Sequence, residues 1–255
     1  MKKEAEKLFD DNILRNGAKL FGVELDTLKQ LAGFENLIYG GRQGTREVIL
    51  RYGHTSHRDS ADVAAELDWL AYLKRRGATV CGPIPSLAGN LVETIPAGET
   101  EFVICAVEKA QGKPMKPLEE GGDGFFYHWG RTTAQLHRLT REYSPSEGIQ
   151  KRGDYLERSR VFDQFLLDGR ERAFFQEIVQ QVESLPRTSE NYLLCHTDLH
   201  HGNFHYDGTN LWIFDFDDCA YHYRVHDLAM PLYYVTWRHP GSESEKLEFA
   251  ARFFK

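Results

Sequence analysis

The sequence of 255 residues contains no run of 18 apolar residues, so no segment reads as a bilayer-spanning helix. Basic residues are in the minority. Lys and Arg number 31 against 38 Asp and Glu, a formal net charge of -7, which argues against broad binding to nucleic acid or to an anionic membrane. Four cysteines, Cys81, Cys105, Cys195 and Cys219, are too few and too scattered for a disulfide scaffold, and none forms a CxxC pair. HExxH and GxGxxG are both missing, as are internal repeats and low-complexity tracts. The opening MKKEAEKLFDDNILRN is charged where a signal peptide is apolar, so a cytoplasmic enzyme or binding protein is the expectation. What is present is a globular composition, 41% hydrophobic and 13% aromatic, in a length that suits one large domain or two modest ones.

The first hundred residues read mainly as strands. LKQLAG (28–33) and NLIY (36–39) are strand candidates, GGRQGT (40–45) has the glycine to turn the chain, and EVILRY (47–52) follows with strong strand propensity. The last two strands form a predicted antiparallel hairpin. ADVAAELDWLAYLKRR (61–76) reads as a helix, with Val63, Leu67, Leu70 and Leu73 in an apolar stripe, basic residues in its last turn and Gly77 as its stop. The prolines of CGPIPSLAG break the pattern, and NLVETI (90–95) and EFVICAVE (101–108) supply two more strands. Composition shifts at QGKPMKPLEEGGDG (111–124), where the chain is expected to divide into lobes of residues 1–110 and 111–255. Beyond it helices dominate: 126–140, with Trp129, Thr133, Leu136 and Leu139 on one side, then 155–167, then 173–185 ahead of Pro186, and a last stretch from about Ser242. The predicted class is α+β, a small antiparallel-sheet lobe followed by a larger, mainly helical one.

The densest chemistry lies in CHTDLHHGNFHYDGTNLWIFDFDDC (195–219). Asp207-Gly208, between FHY and LWIF, reads as a hairpin turn. Asn203 then begins one strand and Asp215 follows the other, so the two meet at the hairpin's open end. Asp198 lies in the loop feeding the same end, and the pattern predicts one cleft for Asp198, Asn203 and Asp215. Residues 191–227 hold six Asp and one Arg, which concentrates most of the chain's net charge here. Two like charges about 4 Å apart repel by roughly 4 kcal/mol at an effective dielectric of 20. A hard divalent cation with oxygen ligands, Mg2+ first, offsets that repulsion. A carboxylate held off the metal can orient a hydroxyl or water and accept its proton. Solvated turn residues are the plain alternative, weakened by the spacing, the hairpin and the aromatic strand bracketed by acids. A zinc site from His196, His200, His201 and His205 lacks the HExxH arrangement.

With these residues in view, the chain resembles the aminoglycoside phosphotransferase and choline kinase-like superfamily, relatives of the protein kinases. HTDLHHGN (196–203) is similar to that family's catalytic loop, FDFDD (214–218) to its metal-binding segment and HDLA (226–229) to the acidic anchor that follows. The resemblance implies a two-lobed protein kinase-like fold that uses ATP and Mg2+ to phosphorylate a hydroxyl. It implies Asp198 as catalytic base, Asn203 and Asp215 as Mg2+ ligands, Asp227 as a structural aspartate and His196 as a brace of the loop. It also implies a nucleotide-binding lobe over 1–110 and a catalytic and acceptor-binding lobe over 111–255. The family pairs a basic residue on the third strand with an acid on the next helix. Arg51 and Glu66 take those places, Arg51 standing for the commoner Lys and touching the α/β-phosphates. In place of GxGxxG the resemblance puts a short loop, AGFEN (32–36), whose Phe34, Glu35 and Asn36 would cradle phosphate with backbone N–H groups. VEKAQG (107–112) becomes the lobe connection, where adenine meets the backbone near Glu108 and Ala110.

Some residues keep two readings. Asp217 either supports a ligand from behind or binds the metal itself, and Asp218 caps or bonds the loop. His201, where the family often has Pro, either binds substrate or is a solvated loop histidine. Tyr221 and Arg224 line an acceptor pocket or pack the lobe. Members commonly run on for several helices past EFAARFFK (248–255), so the resemblance implies a second lobe short of its terminal helices. The leading expectation is a kinase of a small hydroxylated molecule: an aminoglycoside, amino alcohol, sugar or homoserine-like compound. Net acidity tilts this toward a cationic acceptor. A protein Ser/Thr kinase of the same fold is the nearest alternative, disfavoured because no extended activation segment lies between Asp215 and Asp227. A silent nucleotide-binding protein and a metal-dependent phosphate hydrolase are the others.

Overall fold

The structure, a computed structural model, describes residues 3–33, 35–159, 169–238 and 241–255. Its contacts divide the chain into two compact units. The first runs to Lys113 and takes in two returning segments, Ser144–Gln150 and Trp212–Asp217; the second holds the rest.

The first unit opens with α1 (Lys3–Glu6) and α2 (Asp11–Leu20), the latter capped by Asp10, whose carboxylate accepts from Ile13 N–H at 2.9 Å. There follow β1 (Lys29–Gly33), β2 (Leu37–Gln43), β3 (Arg46–His54), α3 (Ser60–Arg75), β4 (Pro83–Ile84), β5 (Val92–Ala97) and β6 (Thr100–Glu108). The sheet runs β1-β2-β3-β6-β4, with β5 also on β6, and its pairings are antiparallel. Val48, Leu50 and Tyr52 alternate along β3 into a core that includes Phe102, Ile104 and Ile13. The same alternation turns Arg51 to the other face, opposite Cys105 in register. On α3 the stripe Val63, Leu67, Leu70 and Leu73 is buried, and Glu66 is buried beside it at 2% exposure.

Two expectations change here. GGRQ lies inside β2, and the turn is confined to Gly44-Thr45, where Gly44 takes φ +61°. A Cβ on Gly41 would come within 2.5 Å of Val23 Cγ1, so glycine serves close packing in the strand as well as turning. CGPIPSLAG does not wholly break the sheet, because Pro83–Ile84 pairs with β6 at its edge, where proline is tolerated.

The returning segments are bonded into this unit. Ser146 Oγ donates to Asp68 Oδ1 at 2.6 Å. Ile213 bridges Val80, with Cys81 N–H donating to Ile213 O at 2.9 Å and Ile213 N–H to Thr79 O at 3.1 Å. Phe216 lies edge-on to Trp69 at 5.3 Å.

The second unit holds α4 (Pro117–Glu120), α5 (Asp123–Thr140), α6 (Tyr155–Ser159), α7 (Gly169–Glu183), β7 (Tyr192–Cys195) and β8 (Phe204–Tyr206). After β9 (Leu211–Ile213), on which the chain passes to the first unit, come β10 (Ala220–Tyr223), α8 (His226–Arg238) and α9 (Glu243–Phe253). The expected stripe of α5 is buried at Trp129, Thr133, Leu136 and Leu139. α9 starts at a capping box of Ser242 and Glu245 and sets Phe253 against Trp129, ring centroids 5.2 Å apart. β7 and β10 pair antiparallel, Cys195 opposite Ala220. Of the helix expected over 155–167, residues 160–167 lie outside the described residues. Among the described residues no helix is long and apolar enough to cross a membrane.

Candidate active site

In the first unit, Arg51 and Glu66 form a fork: Nη1 donates to Oε1 at 2.8 Å and Nη2 to Oε2 at 2.6 Å. A planar guanidinium makes both bonds at once, which an ammonium cannot. Burial works against the Arg51 charge, yet Cys105, Glu66 and Asp217 together hold its pKa well above the usual value. Asp217 sits beside this fork, 5% exposed. His57 Nε2 lies 2.7 Å from its Oδ2, and Asn36 Nδ2 donates to the same oxygen at 3.4 Å. Arg51 Nη1 and Arg58 Nε stand 3.9 and 4.0 Å from Oδ1. Burial alone would raise the Asp217 pKa; the His57 bond and the charges of Arg51, His57 and Arg58 pull it well below the ordinary carboxylate range.

The loop between β1 and β2 reaches this cluster through Asn36 and through Glu35, whose Oε2 is 3.8 Å from His57 Nε2. Phe34 lies outside the described residues. Asp215 belongs to the same unit and takes φ +63°, a left-handed conformation uncommon for a residue with a side chain. Glu108 ends β6. Its carboxylate accepts from Lys74 and Arg46, and its N–H donates to Gly82 O at 2.9 Å. With Ala110 it lines a cavity of about 480 Å³ that also takes in Lys74 and Trp212.

In the second unit the loop from β7 to β8 carries Asp198 and Asn203. Asn203 Nδ2 donates to Asp198 Oδ2 at 2.7 Å and to Asp198 O at 2.9 Å, which spends the amide N–H groups and turns its oxygen the other way. His200 Nε2 is 3.5 Å from Asp198 Oδ2. Burial raises the Asp198 pKa, but the bond and charge of His200, the charge of His196 and the Tyr234 hydroxyl outweigh it, so the carboxyl titrates below its usual range. Asp198 is therefore ionised at neutral pH, as an acceptor of a proton must be.

Thr197, just before it, takes φ +66°. Three bonds hold it there: its N–H donates to Asp227 Oδ1 at 2.8 Å, its hydroxyl to Asp218 O at 2.8 Å, and its carbonyl oxygen faces His226 Nε2 at 3.1 Å. Asp227 is 1% exposed and also meets His137 Nε2 at 2.8 Å and His196 N–H at 3.3 Å. His196 Nδ1 in turn accepts from Asp198 N–H at 3.3 Å. Tyr221, on β10, pairs with Leu194 of β7, and Lys151 Nζ lies over its ring at 3.9 Å. His201 is half-buried and lines a cavity, not a solvated loop residue.

Sequence reasoning missed His57, His137 and Tyr234. His137 had a signal, since it lies on the buried face of α5 with Thr133 and Thr140. His57 had none.

Asn203 in the second unit and Asp215 in the first each carry a hard oxygen donor, the ligand type that suits Mg2+. The thiols do not compete: burial pushes Cys81 up to about 12 and Cys105 up to about 11, keeping both protonated. None of His196, His200, His201 and His205 belongs to a group of three metal-ligating side chains among the described residues.

Residues 27–254 match the model of a family described as phosphotransferase enzymes. The chain belongs to that family. This phosphotransferase is 32% identical over 256 residues to amicoumacin kinase of Bacillus subtilis (strain 168), a match covering 98% of this chain and 76% of the relative. The solved amicoumacin kinase hAmiN, in complex with AMP-PNP, Ca2+ and Ami, aligns with a TM-score of 0.90 at 30% identity, over 100% of this chain and 79% of that one. A microcompartment-associated aminopropanol kinase shares the fold, with a TM-score of 0.74 at 22% identity over 96% of this chain and 80% of that one. The fold is the α+β protein kinase-like one of this family, and the chain is a small-molecule kinase.

Proposed function

We propose that this phosphotransferase moves the γ-phosphoryl of ATP to a hydroxyl of a small, amine-bearing molecule, with Asp198 as the base. The observation that carries the reading is the Asp198 carboxylate: ionised, bonded to Asn203 and seated on a loop locked by Asp227. It accepts the proton of the acceptor hydroxyl as that oxygen attacks. Phosphoryl transfer asks little covalent help of protein beyond this; alignment and charge do the rest. Arg51, fixed by Glu66, meets the phosphates as a rigid fork, while Glu35 and Asn36 border them from the β1–β2 loop. Asn203 and Asp215 would hold Mg2+, which when bound neutralises phosphate charge. Asp217 is read as an organiser of cations, because both its oxygens already face His57, Arg51 and Arg58.

Amicoumacin, named in relatives 32% and 30% identical, is the first acceptor to try. The cationic tilt rests on the acidic charge of the chain. The test is ATP consumption with Mg2+ over amicoumacin, aminoglycosides, amino alcohols, homoserine and sugars, with product masses read. One acceptor should gain phosphate, and Asp198→Asn should lower kcat by roughly 10²–10⁴-fold at unchanged thermal midpoint. Near-normal turnover by that variant would remove Asp198 from its role.

A further inference from the structure

Helix α8 holds the loop of the base at two points. Asp227, in its first turn, fixes the N–H groups of His196 and Thr197. Tyr234 comes seven residues later, two helical turns on and about 10 Å along the axis, so it stands on the same face. Its ring stacks on His200 with centroids 3.6 Å apart and planes 12° from parallel, and its hydroxyl hydrogen-bonds the Asp198 side chain. The two anchors straddle the base, one on Thr197 before it and the other on His200 after it.

Asp198 needs the second anchor. Asn203 Nδ2 fixes its Oδ2 at 2.7 Å, and a carboxylate held by one oxygen still pivots about that bond. His200 does not stop the pivot alone. Its Nδ1 accepts from Gly202 N–H at 3.0 Å, which puts the ring proton on Nε2. Nε2 stands 3.5 Å from Asp198 Oδ2, too far for a firm hydrogen bond. Tyr234 supplies both missing restraints, its ring flat against the imidazole and its hydroxyl on the carboxylate. A base has to meet its proton within about 2.6–3.2 Å, and roughly 1 Å of misplacement costs on the order of 10²-fold in rate.

We propose that Tyr234 is a positioning residue of the transfer reaction, aiming the Asp198 carboxylate by its hydroxyl and steadying His200 by its ring. The inference rests on the reading of Asp198 as the base, and it adds what keeps that base in line. Tyr234 acts through Asp198, and nucleotide binding does not depend on it. It also borders a cavity of about 210 Å³ with His201 and Val235, so direct contact with the acceptor is the rival role. A split between kcat and KM separates the two.

The experiment uses the full chain with ATP, Mg2+ and amicoumacin, or in its place the acceptor that the screen returns. Turnover, acceptor KM, ATP KM and thermal midpoint are measured for the wild type, Tyr234→Phe and Tyr234→Leu, each also combined with Asp198→Asn. Tyr234→Phe keeps the ring and loses the hydroxyl, and it should lower kcat about tenfold with both KM values and the midpoint unmoved. Tyr234→Leu loses the stack as well and should lower kcat about a hundredfold. In the Asp198→Asn background there is no base to aim, so Tyr234→Phe should cost nothing more, a non-additivity that a merely structural role would not produce. Unchanged kcat in Tyr234→Phe, a loss carried by acceptor KM, or losses that multiply in the double variant would each overturn the assignment. Near-normal turnover by Asp198→Asn alone would instead remove the base on which the inference rests.

Discussion

Asp217 and Asp227 are close in the sequence and almost equally hidden, 5% and 1% exposed, and both carboxyls are held below their ordinary pKa. Their surroundings differ. Asp217, in the first unit, faces the ends of side chains: His57, Asn36, Arg51 and Arg58. Asp227, in the second, faces backbone: the N–H groups of His196 and Thr197, with His137 as its side-chain partner. Side-chain ends can re-aim when an anion arrives, whereas backbone amides cannot move without moving the loop. One buried carboxylate therefore organises charge and the other organises chain direction. The same residue type at the same depth has two ways to fail.

The largest effect that would test this contrast is on stability. Asp227→Ala strands His137 and two buried N–H groups, and a loss of about 3–5 kcal/mol is expected in urea unfolding. A variant as stable as the parent would erase the distinction. Asp217→Asn should instead weaken nucleotide binding about tenfold, read as ATP KM and as AMP-PNP affinity in EDTA, with a much smaller drop in stability. If its unfolding midpoint falls as far as that of Asp227→Ala, both aspartates are merely structural.

The smallest effect concerns pH. Burial first, then His226, pulls the His222 pKa down to about 4, with Asp227 and Asp154 opposing. An unfolded histidine titrates near about 6.5, so between these values the unfolded chain binds the extra proton. Stability should fall as pH drops through that window, by about 1 kcal/mol at about pH 5.5. His222→Phe should flatten the slope. Hydrogen exchange should show the loss in β7 and β10 and not around Arg51, whose charge is constant here.

The elements legible in advance were those whose hydrophobic period is clean: α3, α5, and the strands β3 and β6 around the Phe102 core. α2 was not, because few of its residues are apolar and only Ile13, Gly17 and Ala18 are buried. α8 was obscured by Pro231 inside it, which reads as a breaker. Periodicity says which face is buried, not which polar group a buried polar group meets. Glu66 within an apolar stripe and Arg51 on a strand gained meaning from the family resemblance, not from their spacing. His57 and Asp217 lie 160 positions apart in two irregular segments, so no local pattern could pair them. His201 looked solvated for the same reason: a loop residue has no period to reveal its cavity.

The return of Trp212–Asp217 to the first unit bears on how such a protein can be rearranged. A fragment ending at Lys113 would leave Cys81 N–H and Thr79 O without Ile213, and Trp69 without Phe216. The unit cannot be lifted out as a cassette or traded between relatives by a single crossover. A working chimera must bring its own 212–217 with it, and that short piece carries Asp215 and Asp217 together. The Arg51 fork and these two acids therefore have to be inherited as one set, while the Asp198 loop, on the far side of two splice points, is at liberty to diverge with the acceptor.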